Sequence, residues 1–257
     1  MNELYIERRG HGSVPLVMIH GWAMHGGILH PLAEALDAHC DMYLVDLPGH
    51  GNSRASTVPL DPRACAEAII RETPPAAWLG WSLGGLVATT AALEFPAAVR
   101  QLVPVSSTPK FVLTDDWPYG NDVAMVRKLA ADLEADYKAT VDRFIALEAM
   151  GSQDPRAETR RLMAEAYERG EPDPRVLMEG LRLLENADLR PRLPELAMPS
   201  LWIAGRRDRI VHPEAMRWSA DAAGGHFVEL AHAGHAPFIG HAAELADVIT
   251  QFTGSNA

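Results

Sequence analysis

Residues 78–88 read WLGWSLGGLVA and contain the pattern Gly80-x-Ser82-x-Gly84. The apolar residues before Gly80 predict a buried strand, and the apolar run that follows predicts a helix ending at Glu94. A serine between two glycines at such a junction is typical of a sharp, strained turn, because side chains at the glycine positions would collide with neighbouring atoms. The turn would present the Ser82 hydroxyl as a nucleophile. A serine-capped glycine turn is the ordinary alternative, and the flanking strand and helix disfavour it.

Short strands and helices alternate on both sides of this turn. Apolar runs predict strands at residues 4–8, 15–20, 41–46, 76–79 and 99–105, with a helix at 63–72. The alternation resumes later, with strands at 200–204 and 226–230 and helices at 213–222 and 242–252. This order predicts an α/β protein with a mostly parallel central sheet and helices on both faces.

The segment 108–190 interrupts the alternation with helical periodicity alone. Its apolar residues recur at every fourth position, as in Met125, Leu129, Leu133, Tyr137 and Val141. An insertion between core strands usually covers the end of the sheet where ligands bind. We therefore predict a core of residues 1–107 and 191–257 that carries a helical lid, residues 108–190.

A serine hydroxyl becomes reactive only when a base removes its proton, and the base needs a carboxylate that holds its tautomer. In the hydrolases that use this turn, the acid and the histidine follow late strands, in that order. Asp208 follows the 200–204 strand, and His235 follows the 226–230 strand. His232 shares the second loop but lies only two residues beyond the strand, so His235 is the expected base.

Three arginines flank the expected acid, at positions 206, 207 and 209. Nearby cations favour the ionised form of a carboxyl group. For Arg207 and Arg209, a solvated basic cluster is the simpler interpretation.

The tetrahedral intermediate of ester cleavage needs two backbone N–H donors for its oxyanion. Leu83 follows the nucleophile at the start of a helix, where the helix dipole adds a favourable potential. Trp22 lies in the loop HGW after the 15–20 strand. We expect the N–H groups of Leu83 and Trp22 to form the oxyanion hole, and we expect His20 to hold the loop in place.

These stretches resemble the pimeloyl-ACP methyl ester esterases of biotin synthesis, which have the α/β-hydrolase fold. The likeness runs over nearly the whole chain and is most specific in HGW at 20–22, VDLPGHGNS at 45–53, WLGWSLGGLVA at 78–88, RFIALEAMGS at 143–152 and GHAPF at 234–238. The resemblance implies a serine carboxylesterase without a cofactor. It would release methanol from a pimeloyl methyl ester held on acyl carrier protein, with Ser82, Asp208 and His235 as its triad.

The resemblance also implies roles for residues around the lid. Trp22, Phe144 and Glu148 would contact the substrate. Arg143, Arg156 and Arg160 would dock the acidic carrier protein, although the family has a neutral amide where this chain has Glu148. Residues 110–190 include 12 basic and 17 acidic residues, so any attraction must come from a local arginine patch. Pairing of these arginines with Asp142, Glu158 and neighbouring acidic residues is the alternative.

Composition restricts the remaining function classes. The formal net charge of -11 argues against nucleic-acid binding, and the two cysteines give no disulfide framework. We see no signal peptide, membrane span or metal-ligand cluster, and we expect a cytoplasmic monomer without metal. A general short-chain carboxylesterase is the second functional hypothesis. A non-catalytic binding protein with a hydrolase fold is the third.

Overall fold

A central sheet of seven strands organises the molecule. The computed structural model describes residues 3–152 and 154–254. The sheet order is β1-β3-β2-β4-β5-β6-β7. The strands are β1 (Ile6–Arg9), β2 (Val14–Ile19), β3 (Cys40–Val45), β4 (Ala76–Trp81), β5 (Val99–Val105), β6 (Leu201–Gly205) and β7 (His226–Leu230). Only β1 runs antiparallel to its neighbour, so the carboxyl ends of the other six strands meet at one edge.

Helices cover both faces of this sheet. They are α1 (His30–Leu36), α2 (Pro62–Glu72), α3 (Leu83–Glu94), α4 (Val123–Ala135), α5 (Tyr137–Glu148), α6 (Pro155–Ala166), α7 (Pro174–Asn186), α8 (Pro213–Ala222), α9 (Pro237–Gly240) and α10 (Ala242–Gly254). All residues of β4 are buried, as expected for a strand covered on both sides. The predicted α/β-hydrolase architecture is confirmed.

Local sequence explains where three of the helices begin. Asp61, Asp154 and Asp173 each precede a proline, and the carboxylate of each accepts a hydrogen bond from a backbone N–H in the first turn. Proline fits the first helical position because that residue has no intrahelical N–H partner to lose. The Asp-Pro pairs therefore fix the starts of α2, α6 and α7.

Helices α4 to α7 lie between β5 and β6 in the chain and inside the predicted lid. The lid boundaries at residues 108 and 190 stay a prediction. Helix α6 contacts the short 3₁₀ helix Gly26–Leu29 and α9, so the inserted segment packs on the core. Within residues 3–152 and 154–254, no helix is long and apolar enough to cross a membrane.

Candidate active site

The turn between β4 and α3 holds Ser82 in a strained conformation, with φ 54° and ψ -120°. A Cβ added at Gly80 would lie 2.3 Å from the Gly84 carbonyl oxygen. One added at Gly84 would lie 2.5 Å from the carbonyl oxygen of His20. Both positions therefore require glycine, because the backbone approaches too closely for a side chain.

Ser82, His235 and Asp208 form one chain of hydrogen bonds. His235 Nε2 lies 3.0 Å from Ser82 Oγ, and His235 Nδ1 lies 2.8 Å from Asp208 Oδ2. All three residues are buried. The carboxylate faces Nδ1 and so keeps the proton there, which leaves Nε2 free to accept the serine proton.

The acid and the base are themselves held in place. Asp208 Oδ1 accepts hydrogen bonds from the backbone N–H of Ile210 (2.8 Å) and of Val211 (3.0 Å), so its other oxygen faces the imidazole. The indole N–H of Trp81 donates to the His235 carbonyl oxygen at 2.8 Å. These contacts fix the orientation of the histidine before any substrate arrives.

His232 is excluded from this arrangement. Its side chain is exposed, and its Nδ1 lies 3.2 Å from Arg207 Nη2. Of the two histidines in the loop, only His235 is placed beside Ser82.

The loop after β2 lies beside the serine, as the oxyanion-hole hypothesis requires. A Cβ added at Gly21 would lie 3.1 Å from the Ser82 Cβ. His20 donates from Nδ1 to the Gly21 carbonyl (2.7 Å), and its Nε2 accepts from the Leu47 N–H (2.9 Å). Burial lowers the pKa of His20 well below its usual value, so this histidine is neutral and ties the loop to the core.

A cavity of about 270 Å³ opens over Ser82, between the sheet edge and the inserted helices. Most of its wall is apolar and includes Trp22, Phe111, Met125, Leu129, Phe144 and Leu181. The Trp22 and Phe144 rings meet edge to face with centroids 4.8 Å apart. The Trp22 indole N–H also donates to the Leu177 carbonyl oxygen at 2.9 Å, which anchors the ring to α7. The cavity suits an apolar acyl chain.

The structure places the predicted lid residues in different surroundings. Phe144 and Arg143 line the cavity. Leu147 lies on the cavity wall, but Glu148 does not. Neighbouring residues of a helix point in different directions, and the Glu148 side chain is buried inside the protein. Its carboxylate oxygens have no hydrogen-bond partner in the described residues, and burial raises its pKa well above the usual value. Its position gives no support to the substrate contact expected for Glu148.

Arg156 and Arg160 are exposed on α6 and make no ion pair with any described residue. Asp142 instead accepts a hydrogen bond from the Tyr167 hydroxyl at 2.7 Å. The pairing alternative therefore finds no support for Arg156 and Arg160, whereas Arg143 does pair with an acid of the inserted segment. Arg143 contacts Asp132 at 3.5 Å and donates to Thr140 Oγ1 at 2.9 Å.

Sequence reasoning missed several residues of the site. The Ser107 hydroxyl donates a hydrogen bond of 2.7 Å to the Ser82 carbonyl oxygen and so stabilises the strained turn. Leu181 and Leu184 of α7 line the cavity. The apolar face of α7 marks these leucines as inward-facing, but the sequence does not say which cavity they face. Within the described residues, no group of three His, Cys, Asp or Glu side chains is arranged to hold a metal ion.

Comparison with known proteins agrees with the fold. The family model described as the alpha/beta hydrolase fold matches residues 14–242. The solved structure of an esterase from Exiguobacterium antarcticum superposes with a TM-score of 0.88, covering 98% of this chain and 95% of that one. At 21% identity, this likeness speaks for the fold alone. Fold and family model together define an alpha/beta hydrolase.

Relatives of higher sequence identity show the family within the alpha/beta hydrolases. The pimeloyl-[acyl-carrier protein] methyl ester esterase of Stenotrophomonas maltophilia (strain R551-3) is 49% identical over 250 residues, which cover 97% of this chain and 96% of the relative. The protein of the same name from Xanthomonas oryzae pv. oryzae (strain MAFF 311018) is 46% identical over 254 residues, covering 98% and 99%. The chain belongs to the family of pimeloyl-[acyl-carrier protein] methyl ester esterases.

Proposed function

We propose that this protein hydrolyses the methyl ester of pimeloyl-[acyl-carrier protein] methyl ester, releasing methanol and leaving a free pimeloyl carboxylate on the carrier. The relatives that share nearly half of the sequence carry this activity in their names. The observation that carries the proposal is the hydrogen bond of 3.0 Å that the Ser82 hydroxyl donates to His235 Nε2, at the wall of an apolar cavity. The resemblance places the reaction in biotin synthesis.

The chemistry follows from the order of the hydrogen bonds. His235 takes the hydroxyl proton as Ser82 Oγ attacks the ester carbonyl, and Asp208 stabilises the imidazolium that forms. The N–H groups of Trp22 and Leu83 receive the negative charge of the tetrahedral intermediate. His235 then returns the proton to the departing methoxide, and methanol leaves an acyl-serine.

Hydrolysis of the acyl-serine repeats these roles with water. His235 takes a proton from water, the hydroxide adds to the acyl carbonyl, and the Ser82 oxygen leaves with the proton from His235. The product carries a carboxylate where the methyl ester was. No cofactor is required for either half of the reaction.

The carrier protein needs a surface outside the cavity. Arg156 and Arg160 lie four positions apart on α6, are exposed, and have no ion-pair partner among the described residues. They offer cations to an acidic partner although the protein as a whole is strongly negative, and Arg143 on α5, which contacts Asp132, is the third arginine of the proposed patch. This local patch supports docking of the carrier on α5 and α6.

The decisive assay measures methanol release from purified pimeloyl-carrier methyl ester and compares kcat/KM with that for p-nitrophenyl acetate. We expect the carrier-bound ester to be strongly preferred, and we expect Ser82→Ala to abolish both activities. A preference for the aryl ester would favour a general short-chain carboxylesterase instead.

A further inference from the structure

One cation on the cavity wall, Arg209, has no partner among the residues that the structure describes. Arg209 lines the same cavity as Ser82. The residue is exposed, and its side chain makes no hydrogen bond, ion pair or ring contact with any described residue. The neighbouring arginines differ. Arg206 lies 3.8 Å from Glu229, and Arg207 contacts His232 outside the cavity. All three arginines around Asp208 are exposed, and of the three Arg209 is the one that lines the cavity.

The charges of the cavity wall are unbalanced. In the described part of the chain, its charged residues are the cations Lys128, Arg143 and Arg209 and the acid Asp132. Asp132 is already engaged, because Lys128 Nζ lies 3.0 Å and Arg143 Nη2 lies 3.5 Å from its carboxylate. The wall is thus locally positive in a protein of formal net charge -11. Such a local reversal of sign favours an anionic group at this place.

Apolar surroundings strengthen this preference. An acyl chain that fills the cavity displaces water from the wall, and an ion pair gains strength as water is removed. A guanidinium also presents a planar fork of donors that matches carboxylate and phosphate oxygens. An unpartnered arginine beside an apolar chain therefore suits a ligand that is both apolar and negatively charged.

We propose that Arg209 is a specificity residue that binds an oxyanion carried by the ester substrate. The proposal rests on the proposed esterase function, since the substrate must reach Ser82 through this cavity. Two oxyanions fit the chemistry. One is the carboxylate at the far end of a free half-ester, and the other is the phosphodiester that joins the arm of an acyl carrier to its protein.

Two matched pairs of small esters test the proposal without any carrier protein. The first pair is monomethyl pimelate, which has a terminal carboxylate, and neutral dimethyl pimelate. The second pair is the methyl-pimeloyl thioester of phosphopantetheine and that of pantetheine, which differ only in the phosphate. The measured quantity is the ratio of kcat/KM for the anionic ester to that for the neutral ester in each pair.

Arg209→Gln should lower this ratio by about tenfold in at least one pair, the loss typical of one charge-assisted hydrogen bond. Arg209→Lys should retain part of the preference because it keeps the charge. Arg207→Gln is the matched control and should leave the ratios unchanged, since Arg207 lies outside the cavity wall. Raising the salt concentration should reduce the wild-type ratio.

The pair that responds identifies the oxyanion as carboxylate or phosphate. If Arg209→Gln changes neither ratio, the proposal is wrong. Failure of the proposed function looks different, because the small esters would then show dependence on Arg209 while the carrier-bound methyl ester is not hydrolysed.

Discussion

Arg169 Nη1 lies 3.0 Å from Asp46 Oδ1 and joins the segment after α6 to the core beneath the loop that follows β2. Asp46 is fully buried, and its carboxylate also accepts the backbone N–H groups of Gly26 (2.7 Å) and Asn52 (2.8 Å). Arg169 pairs with Glu7 as well. The inserted helices and the proposed oxyanion loop are therefore held by one buried network of charges.

Loss of the ion pair between Arg169 and Asp46 should destabilise the protein. In Arg169→Met, the buried Asp46 loses its cation, and breaking a buried pair in this way costs about 3 kcal/mol or more. For a chain of this size, that corresponds to a fall in Tm of roughly 6–12 °C. Thermal unfolding followed by circular dichroism measures the change.

Arg175→Met is the control for Arg169→Met. The Arg175 side chain is 86% exposed and pairs with Asp173 at 2.8 Å, and such surface pairs contribute little. Equal falls in Tm for the two variants would contradict a special role of the buried network.

The buried carboxyl of Glu148 should make stability depend on pH. Burial, with the charges of Asp208 and Glu158 nearby, raises its pKa well above the usual value, and burial raises the pKa of Glu158 to about 7. A raised folded-state pKa means that the stability is fully present below the unfolded pKa near 4.5 and is lost as the pH rises through the folded value. We expect Tm to fall between pH 5 and pH 8, because the folded protein keeps these carboxyl groups protonated while the unfolded chain releases their protons.

Glu148→Gln should flatten that decline, because an amide stays neutral at every pH. Its Tm at pH 8 should exceed that of the wild type, whereas Glu134→Gln on the exposed surface of α4 should change little. A wild-type Tm that rises over this pH range would show that Glu148 is charged in the folded protein.

Asp208→Asn should slow turnover without much change in KM. The amide cannot hold Nδ1–H of His235 as the carboxylate does, so the imidazole can adopt the unproductive tautomer. Loss of the acid from a serine triad lowers kcat by roughly 10⁴-fold. Steady-state kinetics on dimethyl pimelate measures this effect. If kcat fell less than about tenfold, the hydrogen bond of 2.8 Å would not organise the base.

Charge reversal on α6 should affect only carrier-bound substrate. Arg156→Glu or Arg160→Glu should raise KM for the carrier-bound methyl ester severalfold at low salt, because each variant repels an acidic carrier. Arg100→Glu is the control, since this exposed residue lies at the amino end of β5, away from Ser82. Unchanged KM for both α6 variants would refute docking at this patch.

Sequence patterns predicted most of the core because short apolar strands and the Gly80-x-Ser82-x-Gly84 turn report local constraints. The bounds of β5, α8 and β7 agree with the prediction residue for residue, and α3 ends at the predicted Glu94. Helix α1 was not predicted, since its seven residues start at His30-Pro31 and give too short a periodic pattern.

The details of the site depend on packing that the linear pattern does not contain. The helical spacing of Phe144 and Glu148 suggests a shared face, yet Phe144 lines the cavity and Glu148 is buried off its wall. The sequence likewise does not show that Arg209 lines the cavity. The three arginines that flank Asp208 look alike in the sequence, and only the path of the loop after β6 distinguishes the one on the cavity wall.

Labelling with a fluorophosphonate, followed by peptide mass spectrometry, tests the central claim most directly, which is that His235 makes Ser82 nucleophilic. The label should appear on the peptide that contains Ser82, and His235→Ala should label far more slowly. A wild-type protein that stays unlabelled, or that carries the label on another residue, would contradict the account.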